Sequence, residues 1–164
     1  MNLFILIFMA FVANATITVK SPAFPDNGNI PAKYTCTGEN ISPELNISNL
    51  PKNTKSLALI MDDPDAPGGM FVHWVMWNIP PKETMEDDLS IDQNSAPGVE
   101  GQNGRGKKGY TGPCPPSGTH HYHFKIYALD TMLDLPASTD KEALLKAMQG
   151  HIIGQGELVG LYKK

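Results

Sequence analysis

Five stretches of the chain have the length and composition of β-strands. The run at 56–61 (SLALIM) is the most continuously apolar and predicts a buried strand. The runs at 71–79 (FVHWVMWNI) and 121–129 (HYHFKIYAL) are rich in the aromatic and β-branched residues that favour strands. Alternating residues at 16–24 and the segment 157–162 supply a first and a last strand.

One segment has a helical pattern. Thr139 to Glu142 form a capping box, with the Thr139 hydroxyl at the N-cap and a carboxylate three residues later. Apolar residues at 143, 144, 147 and 148 then share one face, and Gly150 lies where a helix would end. Turn-forming residues at 62–69 and over most of 80–118 predict loops. The pattern therefore predicts a mainly β fold, an antiparallel β-sandwich with a short peripheral C-terminal helix.

Composition fits one globular domain. The chain has 164 residues, of which 41% are hydrophobic and 18% charged, so one core of ordinary size can form. The 15 glycines and 14 prolines are spread along the chain, as short strands joined by turns require. A net charge of −4 without a long basic run gives no indication of nucleic acid or an anionic membrane as a partner.

The first fifteen residues differ from the rest. An unbroken apolar run from 3 to 13 ends in Ala13-Asn14-Ala15, the pattern of a cleavable signal peptide, and it is too short for a bilayer span. We therefore predict a signal peptide at 1–15, a mature domain at 16–164 with no membrane span, and a periplasmic or secreted bacterial location. A buried first strand and an uncleaved anchor are the alternatives.

Cys36 and Cys114 are the only cysteines, so C-x-x-C redox and zinc patterns are excluded. Export to an oxidising compartment would permit one disulfide between them. Whether they are bridged or free stays open at this level.

Two of the predicted strands carry histidines toward the interior. Alternation places His73 on one face with the apolar residues at 71, 75, 77 and 79, and places His120 on one face with Tyr122 and the apolar residues at 124, 126 and 128. His121 and His123 then share the opposite, solvated face with Lys125.

Buried imidazoles need hydrogen-bond partners. The loop before the 71–79 strand offers Asp62, Asp63 and Asp65, any of which could accept a hydrogen bond from His73. Two such histidines beside Gly/Pro-rich loops indicate a binding site, although each alone fits an ordinary core residue.

The Gly-rich segment 101–108 matches G-x-x-x-x-G-K but lacks the Ser or Thr and the following helix of a phosphate-binding P-loop. We interpret it as a flexible basic loop. His121 and His123 could hold a metal ion, but no third ligand is evident, so we predict neither a metal nor a cofactor.

Two blocks of the sequence resemble the signatures of the phosphatidylethanolamine-binding (Raf kinase inhibitor-like) family, in its bacterial form. The first is Asp63-Pro64-Asp65-Ala66-Pro67 followed by His73-Trp74, and the second runs from Gly112 to Tyr122 (GPCPPSGTHHY). The segments at 34–43, 150–151 and 158–160 are similar to the same branch, so the resemblance covers nearly all of the mature chain.

The resemblance implies a small cavity that binds phosphate-like anions, including phospholipid head groups. Carried over by motif position, its ligand-binding residues are Asp63, His73, Pro115, Pro116, His120 and Tyr122. Asp65, Pro67 and Gly118 would shape the surrounding loops. The chain departs from the family pattern at His121, where arginine is usual, and at 45–47, where a tryptophan is common; neither position belongs to the implied cavity.

Three functions are open. The favoured one is a non-enzymatic ligand-binding protein in which Asp63 orients a histidine, so that affinity for anions rises as pH falls through about 6.5, the ordinary histidine pKa. A hydrolase using Asp63, His73 and His120 would lack an evident nucleophile. A protein-interaction module that inhibits a kinase or protease could use the same pocket for an acidic segment of a partner.

Overall fold

The computed structural model describes residues 15–81, 89–91 and 98–164. These residues contain a single α-helix, α1 (Lys141–Met148), and a 3₁₀ turn at Ala32–Tyr34. The strands are β1 (Ala15–Thr16), β2 (Thr18–Lys20), β3 (Gly28–Asn29), β4 (Leu45–Ser48), β5 (Ser56–Asp63), β6 (Phe71–Ile79), β7 (Leu89–Ile91), β8 (Val99–Glu100), β9 (Thr119–Leu129) and β10 (Ile152–Lys163). The predicted signal peptide lies outside the described residues except for Ala15, and it stays a prediction.

The strands form a large and a small sheet. The large sheet has the order β1-β10-β9-β5-β6-β8, with β3 also paired to β10, and the small sheet has the order β2-β4-β7. The mainly β fold with one short helix is confirmed. The purely antiparallel arrangement is wrong, because β1 and β3 both run parallel to β10. The sandwich architecture stays a prediction.

The central strands are buried because both faces of the large sheet are covered. All eight residues of β5 are buried. One face contributes to an inner cluster, which contains Leu57, Leu59, Met61, Phe124 and residues of β2 and β4 in the small sheet. The other face contributes to a helix-side cluster, which contains Ala58, Ile60, Val75, Trp77 and the α1 residues Leu144 and Met148.

Strand β9 follows its predicted alternation. The predicted inward residues, from His120 through Tyr122 to Ala128, are buried, while His121 is exposed and His123 is partly exposed. Strand β10 begins at Ile152, five residues before the predicted start, and the predicted strand at 16–24 is two short strands. Asp62 and Asp63 end β5 and do not belong to the following loop.

Strand β6 breaks the alternation that the sequence predicted. Its register with β5 shifts between the partners of Met61 and Asp62, and again between those of Leu57 and Leu59. At each shift β6 contains one residue more than β5. Val75 and Trp77 therefore pack in the helix-side cluster, whereas Ile79 lies in the inner cluster and His73 contacts Tyr122 of that cluster. The predicted common face for His73, Val75, Trp77 and Ile79 is wrong.

The helix is confirmed, but its N-cap is Asp140 and not Thr139. The Asp140 carboxylate accepts a hydrogen bond from the backbone of Ala143, and the Thr139 hydroxyl instead donates to the Pro136 carbonyl. Beyond the helix end, Gly150 has φ +81°, a left-handed conformation that glycine adopts without a steric penalty.

Candidate functional site

A cavity of about 170 Å³ lies where the end of β5 meets the beginnings of β6 and β9. Loops at 64–70, 101–109 and 112–118 close it. The predicted residues Asp63, His73, Pro115, Pro116 and His120 all line it, as does the predicted loop residue Pro67. The other lining residues are Ala66, Phe71, Arg105, Gly112 and Cys114.

Asp63 and His120 form a buried pair across the sheet. The exposed fractions of their side chains are 5% and 7%, and His120 Nδ1 lies 2.7 Å from Asp63 Oδ2. The other carboxylate oxygen, Oδ1, accepts a hydrogen bond of 2.8 Å from the backbone N–H of Asp65. Because an ionised carboxylate only accepts, the pairing places the proton on Nδ1 and leaves Nε2 without a partner among the described residues.

His73 is oriented by the backbone, contrary to the predicted aspartate partner. Its Nδ1 donates to the carbonyl of Thr111 at 2.6 Å, and its Nε2, like that of His120, has no hydrogen-bond partner in the described ranges. Burial lowers the pKa of His73, and the hydrogen bond to Thr111 and the charge of Asp63 offset this effect only in part. His73 is therefore neutral at neutral pH, with an unprotonated Nε2.

The other two aspartates of this segment have different partners. Asp62 is fully buried on the helix-side face, where it accepts from Lys125 at 2.9 Å and from Lys141 of α1 at 2.5 Å. Asp65 accepts from both the backbone N–H and Nδ1 of His121, and these two bonds lower the pKa of Asp65. Asp65 thus ties the 64–70 loop to β9, as a loop-shaping residue would.

The loop at 112–118, which contains three prolines, is tied to the segment that follows the 3₁₀ turn. A disulfide joins Cys36 to Cys114, and the Cys36 N–H donates to the Pro113 carbonyl. The Asn40 side chain accepts from the backbone N–H of Gly112 at 2.8 Å. At the far end of the loop, Gly118 has φ +76°, which suits its predicted role in shaping the turn.

Tyr122 lies beside the cavity but is not among its lining residues. It is fully buried, with its ring edge-on to His73 at 5.2 Å between centroids and stacked on His120 at 6.4 Å. Its hydroxyl has no hydrogen-bond partner within the described part of the chain. Burial raises the pKa of Tyr122 well above its ordinary value, so the hydroxyl keeps its proton. A ligand role for Tyr122 stays a prediction.

Sequence reasoning missed Arg105, the one arginine or lysine among the described lining residues. The segment 101–108 was predicted to be a flexible basic loop, but it is held by the buried side chain of Asn103. Asn103 Oδ1 accepts from the backbone N–H of Arg105 at 2.9 Å, and its amide donates to the Gly109 carbonyl at 3.0 Å. An asparagine followed by glycines is a turn signal of this kind, and it could have indicated an ordered loop.

The described residues contain no group of three or more His, Cys, Asp or Glu side chains placed to hold a metal ion. His121 is paired with Asp65, and His123 Nδ1 lies 2.6 Å from Glu157. No described helix is long and apolar enough to cross a membrane.

The described lining residues therefore offer two imidazole Nε2 atoms, one guanidinium and an apolar wall that includes Phe71 and the prolines. Its one cysteine, Cys114, is held in the disulfide, and no serine or threonine is among its described lining residues. Groups of this kind bind an oxyanion by charge and hydrogen bonds.

Comparison with known proteins places the chain among proteins of the same architecture. A UPF0098 protein of Methanothermobacter thermautotrophicus is 51% identical to it, over 90% of this chain and 99% of the relative. A UPF0098 protein of Pyrococcus horikoshii is 50% identical, over 88% of this chain and 75% of the relative. The crystal structure of the phosphatidylethanolamine-binding protein homologue CT736 from Chlamydia trachomatis has 41% identity and a TM-score of 0.83, covering 93% of this chain and 99% of its own. The crystal structure of E. coli YbcL, a member of the mammalian PEBP family, has 30% identity and a TM-score of 0.80, and the match covers 92% of this chain and 99% of YbcL. The model of the phosphatidylethanolamine-binding protein family matches residues 20–163, so the chain belongs to that family.

Proposed function

We propose that this protein is a non-enzymatic binding protein whose cavity takes small phosphate-like anions or phospholipid head groups. The observation that carries the proposal is the convergence of His73, His120 and Arg105 on a cavity of about 170 Å³. A cavity of this size suits a small polar group, and a long acyl chain would have to remain outside it.

The two histidines are arranged to respond to an anion. Each uses Nδ1 for a fixed protein acceptor, Asp63 for His120 and Thr111 for His73. Each Nε2 is then the atom left for the ligand. An anion beside Nε2 favours protonation there, which adds both a positive charge and a hydrogen-bond donor when the ligand arrives.

Asp63 is an anion in an anion site, and its contacts account for this. Both of its oxygens are occupied, one by His120 and the other by the backbone of Asp65. The carboxylate therefore serves as an orienting group behind His120. Its charge is compensated when His120 is protonated.

An exported location is part of the same proposal. The disulfide between Cys36 and Cys114 supports it, since disulfides persist in oxidising compartments such as the periplasm and the extracellular space. The apolar run at 3–13 would be the export signal.

The test is an NMR titration of the mature protein with O-phosphorylethanolamine at about pH 6, where ordinary histidines are partly protonated. Saturable shifts should appear at His73, His120 and the backbone of 112–119, and His120→Ala should weaken binding. His123→Ala is the matched control, because it removes a histidine from the same strand on the opposite face. Absence of shifts at millimolar ligand would refute the anion site and direct attention to a protein partner.

A further inference from the structure

The permanent positive charge of the described cavity lining comes from the side chain of Arg105. Its lining includes the Asp63 carboxylate, the Arg105 guanidinium and two histidines. Burial and the nearby Arg105 charge both lower the pKa of His73, so this residue adds no charge at neutral pH. Arg105 is the one arginine or lysine among the described lining residues, and its permanent positive charge offsets that of the Asp63 carboxylate, so the cavity without Arg105 would attract an anion less strongly.

The position of Arg105 is built into the loop. The Asn103 side chain accepts from the Arg105 N–H at 2.9 Å and from the Lys107 N–H at 3.3 Å. The next residue after Asn103, Gly104, donates its N–H to the Val72 carbonyl of β6 at 2.8 Å, which fixes the loop to the sheet beside the cavity. The backbone therefore holds Arg105 at this place independently of its side chain.

Arg105 is placed to bind a ligand through its guanidinium. Arg105 is solvent-exposed and yet lines the cavity, which places it at the opening. Among the residues that the structure describes, no carboxylate lies within 4.0 Å of it, whereas four of the five histidines and two of the lysines have acidic partners. A free guanidinium can form a bidentate pair with two oxygens of one phosphate.

We propose that Arg105 makes the cavity selective for the dianionic end group of a phosphate monoester over a phosphodiester. The inference rests on the proposed function. Arg105 can hold two phosphate oxygens, and His73 and His120 can donate to others once the bound anion favours protonation of their Nε2 atoms. A monoester presents three oxygens that carry no organic group, and a diester presents two, so a diester leaves part of this donor set unused.

A preference for monoesters over diesters would distinguish two sources of a phosphate ligand, a soluble compound and a phospholipid. The phosphate of a phospholipid that carries an alcohol such as ethanolamine is a diester, whereas the phosphate of a soluble compound such as O-phosphorylethanolamine is a monoester. O-phosphorylethanolamine and glycerophosphorylethanolamine carry the same ethanolamine and differ in this feature, so they form a matched pair of probes.

The experiment measures dissociation constants of both probes by calorimetry or NMR at about pH 7.5, where the monoester is a dianion because its second pKa is about 6. The wild-type protein should bind the monoester more tightly. Arg105→Gln should weaken monoester binding by about ten- to a hundred-fold, the loss of a charge-assisted contact, and should bring the two probes close to equal affinity. Lys108→Gln is the control, because it removes the same charge from the same loop at a residue that does not line the cavity.

The outcomes distinguish the two proposals. If neither probe binds the wild-type protein, the proposed function fails. If the monoester binds but Arg105→Gln keeps both the affinity and the preference, or if Lys108→Gln loses them equally, the role of Arg105 is refuted while the anion site stands. A wild-type preference for the diester would also overturn the inference and favour a lipid ligand.

Discussion

The pairing of Asp63 with two different donors makes Asp63→Asn an informative substitution. In the wild-type protein Oδ1 accepts from the backbone of Asp65 and Oδ2 accepts from His120 Nδ1. Asparagine has nearly the same shape but replaces one oxygen with an NH₂ group, which only donates. One of the two donors must therefore lose its acceptor, or His120 must change its tautomer.

The expected loss follows from the burial of the pair. Both side chains are less than a tenth exposed, so solvent cannot replace the missing bond. A hydrogen bond to a charged group contributes about 1.5–3 kcal/mol, so the free energy of unfolding should fall by about 2 kcal/mol. With a urea slope of about 2 kcal/mol per molar, the unfolding midpoint should fall by about 1 M.

Two assays check the reasoning. Urea denaturation followed by tryptophan fluorescence gives the change in the midpoint, and ¹⁵N NMR of the imidazoles reports which nitrogen carries the proton. In the variant we expect the asparagine oxygen to keep the Asp65 N–H, so the His120 Nδ1–H loses its acceptor and the imidazole ¹⁵N signals change. An unchanged midpoint together with unchanged imidazole ¹⁵N signals would refute the proposed geometry.

Asp65→Asn is the matched control. Asp65 is 41% exposed, and it accepts both of its hydrogen bonds from His121 on the single oxygen Oδ2. The asparagine oxygen can keep both bonds, so stability should change by less than about 1 kcal/mol, as for other exposed pairs. A loss as large as that of Asp63→Asn would show that the oxygen-counting argument is wrong.

Three further predictions concern the fold and its response to pH. Replacing Cys36 and Cys114 with serine should lower the free energy of unfolding by up to about 4.5 kcal/mol, because the disulfide joins residues 78 positions apart. Equal denaturation midpoints for the double variant and the wild type would contradict a formed disulfide. Gly156→Ala should cost about 1–3 kcal/mol, since its Cβ would lie 2.2 Å from a backbone oxygen of the N-terminal segment, whereas Gly68→Ala, with open space around it, should be close to neutral in the same thermal melts. Sulfate does not titrate between about pH 5 and 8, and its affinity should rise as pH falls below about 6.5. The reason is that burial lowers the pKa of His73 and that the protonated imidazole is the form that binds an anion. A sulfate affinity that calorimetry finds to be independent of pH would contradict a role for histidine protonation.

The parts of the fold that the sequence predicted well are those in which a local pattern determines the burial. The unbroken apolar run of β5 and the regular alternation of β9 both match the observed faces, because these central strands keep an unbroken register with each other from Ser56 to Asp62. The alternation of side chains in β6 could not be predicted in the same way. A bulge adds one residue without changing the composition, so nothing in FVHWVMWNI marks the point at which the alternation reverses.

The candidate site was predictable for its motif residues and not for its partners. The family resemblance identified Asp63, His73 and His120, all of which line the cavity. It did not predict that His73 would bind the Thr111 carbonyl, because that contact joins β6 to a loop 38 positions later. Arg105 was missed for the same reason, since its place depends on how Asn103 folds the loop and not on a residue pattern at the site.

The aspartates at 62, 63 and 65 show why spacing matters more than composition in this segment. Successive side chains of a strand point to opposite faces, so the end of β5 sends Asp62 to the lysines on the helix side and Asp63 to His120 in the cavity. Asp65, already in the loop, reaches His121 on the outer face of β9. Inserting or deleting one residue here would exchange the faces of Asp62 and Asp63. The buried lysine contacts and the histidine contact would then be lost together, although every residue type would still be present.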